Sequence, residues 1–502
     1  MLRRLLDNPW TYFSLAGVLF VVMVFTQFEI RPPPRSKGTL EDIRALKDRK
    51  DTNLVFIVID TLRSDRLHAY GYPRETSPAL DYLANTGVRF NRVISQSSWT
   101  KSSMASLWTS TWPGRNGILR WSERLPPEAE MPAELLQKAG FHTAGIWRNG
   151  WVAPNFGFDQ GFDTYLRPQA GHEPNEFQRR VAAPSLMGTD EDLTVAAREF
   201  LNSYANRRFF LYVHYMDVHQ YAYDEASARF GTSYSDTYDN AIHWVDRNIG
   251  SLLQGLQQNK IWNKTVVVIA SDHGESFREH GLEGHARTLY REVAEVPWIV
   301  AFPFELQPGI VVEPTVANVD VWPTLLELLG LPPQHDVDGR SVAPLIEAAV
   351  SGAPPPPERA FFAELDRTWG KPSAEPDPLV AVTLGPYRMI RPTPGKRPGD
   401  AEKVAPDVVQ AAATAMADDG PNEKAEPIAP PKARKVELYD HRTDPWEKKD
   451  LASDDSKLPP ELQNALRSYL ASNKPPWGVT PEDVKLNEME LNQLRALGYV
   501  IK

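Results

Sequence analysis

Cysteine is absent from the 502 residues of the chain. Its absence excludes disulfide bonds, zinc sites built from thiolates and catalysis by a thiol, but it does not identify a cellular compartment. An excess of positive charge is also absent, because the formal net charge is −10. Nucleic acid is therefore not an expected partner. Hydrophobic residues make up 42% of the chain and charged residues 24%, which is normal for a globular protein with a large core.

One long segment near the amino end carries no charged residue. As a helix, Trp10–Phe28 would span about 28 Å, close to the hydrophobic thickness of a bilayer. A cleaved signal peptide is the alternative, but it would have a shorter apolar run and a small-residue cleavage site. We therefore predict a single-pass membrane anchor at residues 10–28. It would follow a cytoplasmic tail at 1–9 and leave the rest of the chain extracytoplasmic, in the periplasm or outside the cell.

Strands and helices alternate along the middle of the chain. This order favours an α/β fold with a largely parallel sheet. We predict a linker at 29–52, a catalytic domain at 53–348 and a C-terminal subdomain at 349–502. Within the subdomain, an insert at about 392–435 is rich in Ala, Pro, Asp and Lys, which predicts flexibility. The strands of the catalytic domain are predicted at 53–60, 142–147, 208–219, 264–274 and 296–303.

Acidic residues stand at the ends of two strongly apolar strands. Asp60 ends the first strand, and Asp272 with His273 ends the fourth. Ligands collect at the carboxyl ends of strands in open α/β sheets, and an ionised Asp is almost never buried unless it is paired or bound to metal. Each Asp could instead cap the helix or loop that follows. The two acids with an adjacent histidine favour a divalent metal site.

Thr100 stands at the start of the predicted helix in SWTKSSMASLWTSTWPG. A threonine hydroxyl is too weak an acid to attack a substrate by itself, but a bound cation can lower its pKa. We predict that Thr100 is both a nucleophile and, as an alkoxide, a metal ligand, and that Lys101 meets an oxyanion of the substrate. The alternative is that Thr100 simply caps the helix.

Four of the 11 histidines fall in two short segments that follow strands. These segments are HYMDVHQY, with His214 and His219, and EHGLEGHARTLYRE, with His280 and His285. Histidines at this sheet edge would bind phosphate or sulfate, or act as general acids. We predict catalytic roles for His219 and His285 and substrate-binding roles for His214 and His280.

Several stretches, in this order and spacing, resemble the sulfatase family of the alkaline phosphatase superfamily. The resemblance implies an α/β/α sandwich with a smaller C-terminal α/β region and a metal-assisted attack on a sulfate or phosphate ester. It places Asp60, Asp272 and His273 at metal-ligand positions, Thr100 at the nucleophile, and His219 and His285 at substrate-binding positions. The stretches are NLVFIVIDTLRSDRLHAYGYPRETSPALDYLANTGVRF, WTKSSMASLWTSTWPGRNG, GFDQGFDTY, HYMDVHQY, IASDHGESFREHGLEGHARTLYREVAEVPWIV and VELYDHRTDPWEKKDL.

The nucleophile motif departs from the family pattern. Formylglycine-dependent sulfatases carry Cys or Ser in C/S-x-P-S-R, whereas this chain has Thr100, Ser102 and Met104 at the corresponding positions. Formylglycine is therefore not expected. A Thr ester lacks the second hydroxyl with which a formylglycine hydrate expels sulfate, so its intermediate must be attacked directly by water or an alcohol. That chemistry suits phosphorus better than sulfur, and it resembles the threonine-using lipid phosphotransferases and phosphodiesterases of the superfamily.

The metal motif also departs from the family pattern. Thr61 stands where calcium-binding sulfatases usually have a second Asp, and His273 where they often have Asn. Fewer oxygen ligands and one imidazole favour Mn²⁺ or Zn²⁺ over Ca²⁺ or Mg²⁺.

Three functions are compatible with these residues. The leading hypothesis is a membrane-anchored, metal-dependent hydrolase that cleaves phosphate or sulfate esters of a small molecule, lipid or glycan. The second is a phosphotransferase that moves a lipid head group, such as phosphoethanolamine or phosphoglycerol, to a lipid or glycan. The third is a non-catalytic scaffold, suggested by the missing Pro and Arg of the nucleophile motif. The oligomeric state cannot be predicted from the sequence.

Overall fold

A computed structural model describes residues 35–171, 177–179, 188–367, 377–393, 436–452, 458–472 and 474–484, together with three positions near the amino end. The anchor predicted at 10–28 lies outside these residues apart from those three positions, and so does the predicted insert from 394 to 435. Within the described part of the chain, no helix combines the length and the apolar character needed to cross a bilayer.

A nine-stranded sheet forms the centre of the protein. The strands are β1 (Asn53–Ile59), β2 (Val88–Ile94), β3 (His142–Trp147), β4 (Thr164–Leu166), β5 (Phe209–Tyr215), β6 (Thr265–Ala270), β7 (Glu295–Ala301), β8 (Ile310–Val312) and β9 (Val316–Ala317). Their order across the sheet is β8-β2-β7-β6-β1-β5-β3-β4. The short strand β9 also pairs with β2, further along β2 than β8.

The sheet is mixed because β7 runs against both of its neighbours. All other pairings in the sheet are parallel. A parallel crossover needs a connection that returns to the opposite edge, usually a helix. Between β6 and β7 the chain instead forms a small hairpin, Ser276–Phe277 with Glu283–Gly284, and the one-turn helix Arg291–Ala294. The chain therefore re-enters the sheet from the edge at which it left.

Helices cover both faces of the sheet, as the predicted α/β/α sandwich requires. The side chains of β1 alternate between the two cores: Leu54, Phe56 and Val58 pack into one, and Val55, Ile57 and Ile59 into the other. The first core includes residues of α1 (Leu40–Ala45), α3 (Thr100–Thr109), α4 (Pro132–Lys138), α7 (Val321–Leu328) and α8 (Ala343–Ser351). The second includes residues of α2 (Pro78–Asn85), α5 (Asp190–Tyr204) and α6 (Tyr234–Gln258).

A four-stranded antiparallel sheet follows the main domain. Side chains from one of its faces, including Ala363 and Ile390, join the first core of the main domain. Side chains from the other face, including Val382, pack with Leu462 of the last helix. The C-terminal sheet thus shares a core with the main domain. Its elements are β10 (Phe361–Leu365), β11 (Leu379–Leu384), β12 (Tyr387–Pro392), β13 (Glu437–Asp440) and α9 (Pro460–Ala471).

Candidate active site

Three predicted metal ligands meet at the carboxyl ends of two neighbouring strands. Asp60 follows β1, and Asp272 and His273 follow β6, which pairs with β1 in parallel. One ligand atom from each of these three residues lies within 4.8 Å of the other two. All three side chains are fully buried. The parallel pairing of β1 and β6 therefore produces the cluster.

The donor atoms of this cluster fit a divalent cation. Among the described residues, neither Oδ1 of Asp60 nor Oδ2 of Asp272 has a hydrogen-bond partner. His273 Nε2 lies 3.3 Å from Asp272 Oδ2 and 3.9 Å from Asp60 Oδ1. Buried carboxylate oxygens without partners are costly unless a positive charge compensates them. A bound cation would supply that charge to both oxygens.

The imidazole of His273 is oriented as a ligand. Its Nδ1 lies 3.0 Å from the carbonyl oxygen of Gly274. A carbonyl can only accept, so Nδ1 carries the proton and Nε2 presents its lone pair to the two carboxylates. Burial lowers the pKa of His273, which favours this neutral form.

The two carboxylates repel each other in the absence of a cation. Burial, followed by the charge of Asp60, raises the pKa of Asp272 to about 7. Burial acts on Asp60 in the same direction, but the imidazole of His214, 3.3 Å away, and the charge of His219 keep the pKa of Asp60 below its usual range. This buried pair therefore tends to gain a proton or another positive charge.

Hydroxyl and backbone groups hold Asp272 in place. Its Oδ1 accepts hydrogen bonds from the backbone N–H of Thr61 at 3.2 Å and of His273 at 2.9 Å. Its carbonyl oxygen accepts a hydrogen bond from Ser103 at 2.5 Å and another from Ser95. The hydroxyl of Thr61 donates to the carbonyl of Asp60 at 2.7 Å, so it is engaged with the backbone.

Thr100 lies against this cluster. Its Oγ1 is 3.1 Å from Nε2 of His273, and the side chain is fully buried. Thr100 is the first residue of α3, and Trp99 occupies the N-cap position without a side-chain capping bond. Thr100 is therefore not the cap of this helix, and its hydroxyl faces the predicted metal ligands.

Three of the four predicted histidines belong to the same site. Nε2 of His214 lies 3.3 Å from Asp60 Oδ2. The ring of His285 lies 4.6 Å from the ring of His273 and 4.9 Å from that of His219. Neither ring nitrogen of His219, on the one-turn helix Asp217–Gln220, has a hydrogen-bond partner within the described part of the chain.

Glu275 is a site residue that our sequence analysis missed. Its carboxylate oxygens lie 3.2 and 3.3 Å from Nδ1 of His285. Burial raises the pKa of Glu275 to about 7 and lowers the pKa of His285 to about 4. The contact with Glu275 orients the His285 ring. Its closeness in sequence to Asp272 and His273 was the available signal.

Asn149 is the second missed residue. It follows β3, and its Nδ2 donates to Asp60 Oδ2 at 2.6 Å and lies 3.4 Å from Thr100 Oγ1. The only signal in the sequence was a polar residue just after the HTAGIW strand.

The structure does not bring Lys101 and His280 to this cluster. The ammonium of Lys101 donates to the carbonyl of Trp121 at 2.7 Å and lies 3.9 Å from the ring centre of Phe156. The ring nitrogens of His280 lie 2.8 Å from Glu292 Oε1 and 2.7 Å from the carbonyl of Glu447. His280 thus contacts the C-terminal region, and substrate binding by either residue stays a prediction.

Comparisons with known proteins agree with this architecture. The family model for Sulfatase matches residues 52–331. The chain is 27% identical to human arylsulfatase A over 468 residues, with 83% of this chain and 86% of that protein covered. It is 26% identical to N-acetylgalactosamine-6-sulfatase of Canis lupus familiaris over 386 residues, with 67% and 71% covered. The phosphonate monoester hydrolase of Agrobacterium radiobacter has a similar fold, with a TM-score of 0.60, 18% identity, and 84% of this chain and 96% of that chain covered.

The family match covers more than half of the chain. The chain therefore belongs to the sulfatase family, within the alkaline phosphatase superfamily. It is a sulfatase-like ester hydrolase, and the scaffold hypothesis is not retained.

Proposed function

We propose that this protein hydrolyses sulfate or phosphate esters with Thr100 as the nucleophile and a divalent cation at Asp60, Asp272 and His273. The observation that carries the proposal is the Thr100 hydroxyl, which lies 3.1 Å from His273 Nε2 and beside two buried carboxylate oxygens without partners among the described residues. A nucleophile and a set of metal-binding atoms thus occupy one buried position.

When bound, the cation supplies positive charge that lowers the pKa of the Thr100 hydroxyl and neutralises the two carboxylates. We propose Mn²⁺ or Zn²⁺ rather than Ca²⁺ or Mg²⁺. His273 supplies a nitrogen ligand. Thr61 stands at the position of a second carboxylate, and its Oγ1 donates to a backbone carbonyl. The site therefore offers fewer oxygen ligands than a calcium site.

The proposed reaction has two displacement steps. Thr100 loses its proton to solvent, and its Oγ forms a bond to the sulfur or phosphorus as the ester bond to the alcohol oxygen breaks. The departing alcohol oxygen receives the bonding electron pair and takes a proton from His285 or His219, which acts in its protonated form. Because burial lowers the pKa of His285 to about 4, that ring must gain a proton before the step. Water then attacks the sulfur or phosphorus of the Thr100 ester and gives one proton to Oγ as the bond to Oγ breaks. The histidine regains its proton from solvent.

Two observations bear on the class of ester that the protein cleaves. The names of the two sulfatase relatives support an aryl or glycan sulfate. Thr100 cannot form a formylglycine hydrate, and this supports a phosphoester. A direct test offers p-nitrophenyl sulfate, p-nitrophenyl phosphate, a phosphodiester and a phosphonate monoester to the purified protein with Mn²⁺. Turnover of one class identifies the transferred group, and trapping a mass increase on Thr100 identifies the nucleophile. Absence of turnover with every ester, in a protein that retains no metal, would overturn the proposal.

Transfer to a lipid or glycan hydroxyl is a second candidate function. It is supported by the Thr nucleophile, because an acceptor alcohol can replace water in the second step. A radiolabelled head group that appears in lipid rather than as a free product would identify a transferase.

We also propose that residues 10–28 anchor the protein in a membrane, with the catalytic domain extracytoplasmic. The uncharged run in the sequence supports this location. Full-length protein that stays in the soluble fraction of cells without detergent would contradict it.

A further inference from the structure

A sulfuryl or phosphoryl group under attack carries negative charge on its non-bridging oxygens, and hydrogen-bond donors fixed at that position stabilise it. The first turn of α3 supplies little of this from its side chains. Lys101 directs its ammonium to the carbonyls of Arg120 and Trp121, at 3.2 and 2.7 Å. Met104 is part of the hydrophobic core. A donor from another element would therefore add to what the backbone N–H groups and Ser102 of α3 can supply.

Asn149 is a buried donor in contact with the nucleophile. Its Nδ2 lies 3.4 Å from Thr100 Oγ1 and 2.6 Å from Asp60 Oδ2. A primary amide carries two N–H groups, so one can hold Asp60 while the other faces the Thr100 oxygen. Asn149 is fully buried, so water does not compete strongly for these donors.

The orientation of this amide is determined by its second contact. Its Oδ1 accepts a hydrogen bond from the backbone N–H of Trp151 at 2.9 Å. A rotated amide would lose this bond and would place its oxygen against the carboxylate of Asp60. The N–H groups therefore point to the site in the free protein.

The neighbouring residue fixes the backbone at Asn149. The guanidinium of Arg148 is buried and pairs with Asp190 at 2.9 Å and Asp217 at 2.7 Å. It also donates to the carbonyl of Gly188 at 2.6 Å. A donor held by such contacts needs little reorganisation when charge develops beside it.

We propose that Asn149 is a catalytic residue. The amide N–H that does not bind Asp60 donates to Thr100 Oγ before the reaction, and during the reaction it donates to a non-bridging oxygen of the transferred group. The inference rests on the proposed function. While the Thr100 Oγ bond to sulfur or phosphorus forms and the ester bond breaks, the amide keeps both protons and remains neutral. It contributes the stabilisation that an arginine at position 104 would otherwise provide.

Two variants separate this role from a structural one. Asn149→Ala removes the amide and the contact with Trp151. Asn149→Asp keeps an oxygen for Trp151 but introduces a charge. The two variants share only the loss of the N–H donors. Asn240→Ala is the matched control, because Asn240 is buried and also holds backbone groups, at Arg229, Phe230 and Gly231.

The experiment measures bound Mn²⁺, the Kd of orthovanadate, which mimics the five-coordinate transition state, and kcat/KM. We expect both Asn149 variants to retain the metal, to bind vanadate at least about tenfold more weakly and to lose about 10²-fold in kcat/KM. The Asn240→Ala variant should match the wild type in all three measurements.

Vanadate affinity and kcat/KM within twofold of the wild type in either variant would overturn the inference. Loss of the metal in both variants would overturn it too, because Asn149 would then act only through Asp60. A Thr100→Ala variant that still hydrolyses esters would count against the proposed function. The vanadate measurement does not depend on turnover, so unchanged vanadate binding in the Asn149 variants would count against this inference alone.

Discussion

The Thr100 hydroxyl oxygen lies 3.1 Å from Nε2 of His273, although 173 positions separate the two residues in the chain. The geometry of the sheet accounts for this contact. Because β7 is antiparallel to both β2 and β6, these two strands run in the same direction and end at the same edge. Thr100 follows β2 and His273 follows β6, so the reversed strand between them brings their side chains together.

If Thr100 is the nucleophile, its hydroxyl is essential to turnover. We expect Thr100→Ala to lower kcat by at least about 10³-fold, since the covalent step has no other oxygen at this position. Thr100→Ser keeps the oxygen and should retain measurable activity. Steady-state assays with the best ester of the substrate panel provide the measurement.

Thr109→Ala is a suitable control for this pair. Thr109 is buried in the same helix, and its hydroxyl donates to the carbonyl of Ala105 at 2.6 Å. This variant should lose some stability and keep its kcat. Equal activity in Thr100→Ala and the wild type would exclude Thr100 as the nucleophile.

Metal binding should stabilise the wild type and depend on both aspartates. A cation that binds only the folded state raises the unfolding temperature by an amount that grows with the logarithm of its concentration divided by its Kd. We expect added Mn²⁺ to raise the unfolding temperature of EDTA-treated wild type, and Asp60→Asn or Asp272→Asn to abolish that rise. Bound metal measured by mass spectrometry should fall at least about tenfold in both variants.

The matched control is Asp246→Asn. Asp246 is a buried aspartate that accepts hydrogen bonds from the backbone N–H groups of Ala79 and Leu80, both at 2.9 Å. Its substitution should lower stability but preserve the rise with Mn²⁺. Retention of that rise in both Asp60→Asn and Asp272→Asn would show that the metal binds elsewhere.

The positions of Asp60, Asp272 and His273 could be predicted because their signal is local. A strand buried on both faces reads as a continuous apolar run, and a charged residue at its end needs a partner. The sequence therefore indicated the strands and the polar residues that follow them. The sequence also predicts helices at 190–205 and 236–259, and α5 and α6 lie within about two residues of these bounds, because their apolar periodicity is long.

The direction of β7 and the roles of Asn149 and Glu275 could not be predicted in this way. Strand direction depends on the path of the connection, and apolar composition does not report it. Strand β2 was missed because VRFNRVI mixes charged and apolar residues, which reflects its partly exposed face. The direction of the Lys101 side chain depends on carbonyls and aromatic rings of later segments. The residues next to Lys101 in the sequence do not indicate these contacts.

The buried charges around Arg148 lead to a prediction about stability. Arg148→Met would leave the carboxylates of Asp190 and Asp217, both fully buried, without their compensating charge. We expect a loss of about 3–5 kcal/mol in the free energy of unfolding, measured by urea denaturation. The control is Arg247→Met, which removes an ion pair with Asp224 from an arginine whose side chain is 40% exposed, and it should cost less than about 1 kcal/mol. Equal effects of the two substitutions would contradict the role assigned to Arg148.

His243 leads to a prediction about stability against pH. It is buried in α6, and its Nδ1 lies 3.4 Å from the carbonyl of Thr76. Burial, followed by the charges of Arg229 and Arg247, lowers the pKa of His243 to about 4, while the charge of Asp224 opposes this shift. Since the unfolded histidine has a pKa of about 6.5, the unfolded chain binds more protons between these values. The contribution of His243 to stability is therefore complete above pH 6.5 and is lost as the pH falls towards 4.

The comparison of the wild type with His243→Asn isolates this contribution, because the other titrating groups are common to both proteins. Above pH 7 the difference in unfolding free energy should be constant, since His243 is then neutral in both states. As the pH falls from 6.5 to 4, the wild type should lose up to about 3 kcal/mol relative to the variant. Urea denaturation at several pH values measures this difference. A difference that stays constant down to pH 4 would show that His243 can accept a proton in the folded protein without cost.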